Sequence, residues 1–421
     1  MRKTALLAAT AALVACNGDF NKPALLDTPR VLAIKAEPAQ PSFGVSTTLS
    51  TLLYQPPVDH VGNQCPTPGP TTYKWEWCPW PLSSNTNFEC PIQQAEFDQL
   101  YASMGLGIAP KLILSEESEA PTTTFTNPFP AQILYALCRG DIATSLGGGA
   151  APDGGMGHSV FNCDLPAEEY NVSDPSKTDP ISFQVTIKVT ITPACPSLLP
   201  SGFSPLVAIY SLHLPTNDSI PVNQNPVLSG IWVTAYGTEA DGGGSLAGAV
   251  DAGTVDGGDS LDAGAEPSAG QTVPDGGLPL DDQASVTVAR DKHVGLQLDV
   301  DIGTAEHLAV PGTIDYDSVN KLTRHYEHLT FSWYAEAGNF SGRGQGRTTG
   351  FLPTAWPPGQ DNPPQDTPAD VENFNFNTAN TWDLPRRQDY EQDTARIIVV
   401  VRDGRGGVDW TSKVVTLEQT P

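Results

Sequence analysis

The stretch Ile181-Ser-Phe-Gln-Val-Thr-Ile-Lys-Val-Thr-Ile-Thr192 decides the fold class of this 421-residue chain. Ile181, Phe183, Val185, Ile187, Val189 and Ile191 alternate with Ser182, Gln184, Thr186, Lys188, Thr190 and Thr192. A period of two produces that order, so the segment reads as a β-strand with one buried and one wet face. The pattern repeats on both sides. Upstream, Tyr73-Lys-Trp-Glu-Trp-Cys78 sets three rings on one strand face. Downstream, Leu329, Phe331 and Trp333 alternate with Thr330, Ser332 and Tyr334. Residues 397–401 are apolar without a break, as suits a central strand covered on both faces. Asp403-Gly404 follows, a strong hairpin signal before strand-like residues 408–417.

Composition favours short strands over helices. Gly and Pro number 39 each, so chain breakers are dense. Further strands are read at 30–36, 45–54, 206–214, 227–236, 285–288 and 294–300, the last two joined by a short turn at 289–292. One helix is read at 91–104, where Ile92, Phe97, Leu100, Tyr101 and Met104 recur at helical spacing behind Pro91. Residues 237–284 hold ten acids and twelve Gly, with no Lys, Arg or aromatic residue. Such a segment cannot bury enough apolar surface to offset ordering, so it is expected to be a disordered insertion. Its removal should change stability little.

The charge balance excludes one class of partner. The formal net charge is −26, from 48 acidic against 22 basic residues, and phosphate binding requires a basic face. Nucleic acid is therefore not expected as a partner.

The N-terminus has its own signature. Arg2 and Lys3 precede the apolar run 5–13, which is too short to span a bilayer. Leu13-Val-Ala-Cys16 resembles the lipobox of bacterial lipoproteins. The resemblance implies that residues 1–15 are a signal peptide and that Cys16 carries a diacylglycerol, with its amine acylated too. Several acyl chains hold a soluble body on a membrane stably. Asn17 stands where some bacteria use Asp for inner-membrane retention, so the outer membrane is the expected address within the cell envelope. Six cysteines remain: Cys65, Cys78, Cys90, Cys138, Cys163 and Cys195. An even set in an exported chain reads as disulfides, all in the first half, with Cys78 to Cys90 as the first choice across a short loop.

The two halves share a plan: many short strands and a Trp on a central strand, which resembles the immunoglobulin-like sandwich. The segment 396–407, ending Val-Val-Val-Arg-Asp-Gly-Arg-Gly-Gly, resembles the closing hairpin of bacterial Ig-like and PKD-like surface modules. The inter-sheet Cys pair is absent, since residues 45–54 hold no Cys, so the cysteines should tie insertions. The expected organisation is thus a tether at 16–28, a disulfide-containing Ig-like β domain at 29–200 with a small helical insertion, and a second Ig-like or PKD-like domain at 201–421 carrying the 237–284 insertion.

Motifs for catalysis are sparse. There is no G-x-S-x-G, Walker loop or H-E-x-x-H. Gly342-Arg-Gly-Gln-Gly346 lacks the last Gly of a dinucleotide fingerprint. His325 and His328 lead into a strand, where residues three apart face opposite ways, so no metal site is assigned to them. Asp299 and Asp301 share a strand face and could join a calcium site with Asp315 or Asp317, but solvated acids are the simpler reading. No cofactor is expected. The reading adopted is a non-catalytic, lipid-anchored structural or interaction module whose partner is an envelope protein or glycan. Its expected binding loops carry Arg343, Arg347, Arg402 and Arg405, with 343–347 and 403–407 at one end of a sandwich. One alternative is a polysaccharide-binding accessory using exposed Trp75, Trp77 and Trp80. Another is an envelope hydrolase with dispersed carboxylates.

Overall fold

The computed structural model describes residues 24–56, 68–82, 88–139, 162–164, 182–199, 205–216, 222–237, 278–279, 287–288, 293–300, 307–308, 325–326, 329–340, 347–349, 379–386, 390–403 and 405–418. The first half runs β1 (Arg30–Glu37), β2 (Ser46–Tyr54), β3 (Thr72–Cys78), α1 (Gln94–Ser103), β4 (Ile113–Ser118), β5 (Thr122–Thr126), α2 (Ala131–Arg139), β6 (Asn162–Asp164), β7 (Ser182–Thr192) and β8 (Leu206–Pro215). Two sheets form, β1-β2-β5 and β4-β3-β7-β6, with β8 beside β7. All of these pairings are antiparallel. Strands 1, 2 and 5 facing strands 4, 3, 7 and 8 is the order of an immunoglobulin-like sandwich.

The alternating segment is β7, and its apolar set Phe183, Val185, Ile187, Val189 and Ile191 is wholly buried. β3 pairs with β7 over its whole length, which brings Trp75 and Trp77 into the same core. Trp77 meets Phe97, Phe125 and Phe129 edge-on, with ring centroids 5.5, 5.2 and 6.2 Å away. Those rings come from α1, β5 and the turn before α2, so the helical insertion closes one end of the sandwich. Helix α1 begins at Gln94 rather than 91. Glu96 accepts from the Gln93 backbone N–H at 3.0 Å, a capping-box contact that sets the start. Helix α2 has no clear signature in the sequence. Pro130 opens it, and Leu134, Leu137 and Cys138 form a buried stripe too short to stand out as periodic.

Cys78 is bonded to Cys90, and Cys138 to Cys163. The first bridge closes the loop after β3, and the second joins α2 to β6. Cys195 is also disulfide-bonded. Cys65 lies outside the described residues.

β8 corrects the expected boundary at 200/201. It pairs with β7 from Leu206↔Ile191 to Pro215↔Ser182, so it is the last strand of the first sandwich. Pro205 is then a turn between neighbouring strands of one sheet. Turn chemistry looks the same at a hairpin and at a domain border, and local sequence does not separate them.

The second half contains β9 (Leu228–Gly237), β10 (Leu278–Pro279), β11 (Thr287–Val288), β12 (His293–Val300), β13 (His307–Leu308), β14 (His325–Tyr326), β15 (Thr330–Ala335), β16 (Asn339–Phe340), β17 (Arg347–Thr349), β18 (Ala379–Asp383), β19 (Thr394–Arg402) and β20 (Val408–Leu417). One sheet is β10-β9-β12-β18-β16 and the other β11-β20-β19-β15-β17, with β13-β14 a separate pair. Trp333 and Trp382, both fully buried, come from opposite sheets of this second sandwich. β11 and β12, the strands expected on either side of the short turn at 289–292, do not pair with each other. β11 runs parallel to β20, whereas β12 pairs with β9 and β18 in the other sheet. The chain therefore changes sheets between 288 and 293.

Residues 238–277 and 280–286 lie outside the described residues. Leu278 and Pro279, counted within the expected disordered insertion, instead extend the sheet beside Val233 and Trp232. The chain thus leaves β9 and returns to its edge. Replacing 238–277 by a ten-residue Gly/Ser loop should leave the unfolding midpoint nearly unchanged. Each halving of loop length is worth only about 0.6 kcal/mol of closure entropy. A loss of several kcal/mol in urea unfolding would mean that the segment packs on the body.

Candidate functional site: the junction of the two sandwiches

The unbroken apolar run in β19 serves two cores. Ile397, Val399 and Val401 face the interior of the second sandwich. Ile398 and Val400 face the other way, into a third core with Leu26, Leu32, Ala33, Tyr54 and Val408. Half-buried Leu52, Tyr210, Tyr334 and Trp410 border that core. The outer face of one sheet of the second sandwich is thus covered by β1 and β2 of the first. β1 can supply both sides because its register shifts between Val31 and Ala33, leaving Leu32 as an extra residue. Such a bulge re-aims side chains that strict alternation would send to one face.

Polar contacts fasten the rim. Lys35 Nζ meets Asp409 Oδ1 at 3.1 Å, and the other oxygen of Asp409 accepts from the Leu228 N–H at 3.1 Å. Tyr54 donates to Glu336 Oε1 at 3.1 Å, and burial together with that carboxylate holds the phenol well above its usual range. Upstream of β1, the Leu26 N–H donates to the Ala335 carbonyl at 2.8 Å, and the Ala335 N–H to the Ala24 carbonyl at 3.0 Å. The segment assigned to a free tether through residue 28 is therefore docked on the second sandwich from Ala24 onward.

The hairpin between β19 and β20 carries the most buried charge of the junction. Asp403 is 4% exposed. Its Oδ1 accepts from the Arg405 and Gly407 backbone N–H groups at 2.7 and 2.9 Å, and its Oδ2 from Asn223 Nδ2 at 2.9 Å. Burial pushes its carboxyl up, against the pull of those three donors. Asn223 and Asn225 sit on the segment joining the two halves. The Asn223 N–H donates to Gln40 Oε1 at 2.9 Å. Asn225 donates to the Ala36 carbonyl at 2.7 Å and accepts from the Val408 N–H at 2.8 Å. The linker is thereby stitched to both sandwiches. Gly407 has no room for a side chain, because a Cβ there would overlap the Asp403 carboxylate and the Gln224 carbonyl. Gly406 has φ +103° and faces His213, so the turn needs glycine at both places.

Beside this hairpin lies a cleft of about 320 Å³. Val31–Ile34 of β1 form one wall and Ala208–Ser211 of β8 the other, with Arg402 and Gly406–Val408 at one end. Tyr210 donates to the Gly406 carbonyl at 2.6 Å, and burial with the nearby Asp403 raises its phenol. Arg402 donates to the Leu32 carbonyl at 2.8 Å and to Ser332 Oγ at 3.3 Å.

Three of the four arginines read as partner loops, Arg347, Arg402 and Arg405, lie among the described residues. Arg402 and Arg405 belong to the junction. β17 and β19 both pair antiparallel with β15, so they run in the same direction. Arg347 is level with Ser332 and Val400, two residues along β15 from the register of Arg402. Arg343 lies outside the described residues, as do Asp301, Asp315, Asp317 and His328. Asp299 and His325 stand on β12 and β14, and no group of three or more potential metal ligands occurs among the described residues. The exposed-tryptophan alternative loses its basis. Trp75 and Trp77 are core residues, and Trp80 is partly buried against the same core. No signal short of the three-dimensional pairing pointed to Asn223, Asn225 or Gln40.

No family model matches the chain, and no curated protein matches it. Among solved structures, murine CEACAM1b aligns at 10% identity over 92% of this chain and all of that one, with a TM-score of 0.16. A Salmonella alpha-2-macroglobulin mutant aligns at 8% identity over 92% of this chain and 16% of that one, with a TM-score of 0.18. Superpositions this loose carry no weight, and the sandwich assignment rests on strand order and burial.

Proposed function

We propose that the protein is a lipid-anchored module of the bacterial envelope that acts by binding or spacing rather than by turnover. The observation that carries this reading is the docked segment Ala24–Leu26 on β15. Seven residues lie between it and Cys16, so eight Cα–Cα steps reach at most about 29 Å of extended chain. An acyl anchor at Cys16 would thus hold the joined body close to the membrane, attached at the junction instead of dangling from one free end. Two sandwiches fused through a third core suit a body that presents surfaces at a fixed spacing. Asp403, Asn223, Asn225 and Gln40 of the junction bond to one another or to nearby backbone groups.

Growth with a labelled fatty acid tests the anchor. Wild type should carry the label and partition with membranes, whereas Cys16→Ser should lose both while keeping its fold. A labelled Cys16→Ser protein would sink the anchor. Hydrolysis of a polysaccharide, peptide or ester, abolished by one Asp or Glu substitution, would overturn the non-catalytic part.

A further inference from the structure

We propose that the cleft between β1 and β8 docks an extended acidic peptide segment of a partner protein, with a partner carboxylate on Arg402. This rests on the reading of the chain as an interaction module and names the partner class. Three observations carry it. First, β8 is an open sheet edge, since among the described residues it pairs with β7 alone. Every second residue of such an edge turns its N–H and C=O outward, ready to pair with another extended chain. Second, the edge is unguarded. Residues 206–212 contain no Lys, Arg, Asp, Glu or Pro, and Val207 and Ile209 are exposed. Natural edges that must stay single are usually blocked by charge or proline. The cleft wall opposite is also apolar, from Val31 to Ile34.

Third, the end of the cleft holds an uncompensated cation. Arg402 is half-buried, and its two hydrogen bonds go to a carbonyl and a hydroxyl. Among the described residues it forms no ion pair, in a chain where acids outnumber bases 48 to 22. A guanidinium has five donors, so three remain for a carboxylate. The location suits access from outside. Arg402 pairs with Thr330 at one end of β15, and the tether docks at Ala335 at the other. A small carboxylic acid would satisfy Arg402 but leave the β8 edge unused, which favours a peptide.

The test uses the full chain carrying Cys16→Ser, panned with a random twelve-residue peptide library displayed on phage. Enriched peptides should alternate apolar residues and carry an Asp or Glu. The synthesised peptide should slow hydrogen exchange at 206–213. Its acid-to-amide copy should bind about tenfold more weakly, as should Arg402→Lys and Ile209→Glu proteins of unchanged fold. Failure to enrich any peptide, protection confined to another face, or equal binding of the amide copy would overturn the proposal. So would sedimentation showing that β8 is covered by a second copy of the chain. Fatty-acid labelling reads the anchored-module assignment separately, so a failed cleft with a labelled Cys16 would sink the cleft alone.

Discussion

Asp403→Ala is expected to cost about 3–5 kcal/mol of stability, read as a lower urea midpoint. The reason is the set of donors left behind. The Arg405 and Gly407 N–H groups and Asn223 Nδ2 all point at the carboxylate, and the residue is 4% exposed, so bulk water does not reach them. A buried donor without an acceptor costs about 1–3 kcal/mol, and relief of the buried charge offsets part of the total. Asp403→Asn should be far milder. It keeps one acceptor for the two backbone donors. Its new amide can meet Asn223 Oδ1, which is buried without a hydrogen-bond partner, once the Asn223 amide rotates. Equal losses for the two substitutions would mean that the hairpin is not held by these bonds.

The same residue gives the junction a pH dependence of definite sign. Burial raises the Asp403 carboxyl above its unfolded value, so between those two values the folded state holds more protons than the unfolded one. The stability this group contributes is therefore complete below about pH 4 and is lost as pH rises through the folded value. Wild type should lose stability relative to Asp403→Asn over that rise. A difference that stays flat from pH 4 to 7, or grows in the other direction, would contradict the assignment.

Periodicity made some of this architecture legible and left the rest hidden, for physical reasons. Strands that are half wet show a period of two, which is why β7, β3 and β15 could be placed from sequence to within a residue or two. The run 397–401 announced a strand covered on both faces, but not by what. One cover is its own sandwich and the other is the first half of the chain, and nothing local distinguishes them. β8 was legible as a strand and misplaced as to sheet, because pairing is non-local. The Asp-Gly turn was legible as a hairpin, yet the role of Asp403 was not. That role depends on Asn223, 180 residues away in sequence.

Adjacent charges in β19 should produce different failures, and the contrast tests the two-core account most sharply. Val399 and Val400 are both fully buried, one in the interior of the second sandwich and the other in the junction. A carboxylate at either place is unpaired, a cost of several kcal/mol unless the structure opens to hydrate it. At Val399 the way to open is to unfold the second sandwich, because Phe331, Trp333 and Trp382 share that core. At Val400 a cheaper route exists. The sandwiches can part along Leu32, Tyr54 and Ile398, leaving each interior intact. Val399→Asp should therefore abolish near-ultraviolet circular dichroism from the second sandwich and yield an unfolded, protease-sensitive half. Val400→Asp should retain that signal, split thermal unfolding into two transitions and enlarge the radius of gyration in solution scattering. The outcome follows from the strand itself: neighbouring residues point to opposite faces, and here each face belongs to a different core. Identical unfolding by both substitutions would show that the second sandwich cannot stand without the first. The junction would then be part of one indivisible core instead of a seam between two.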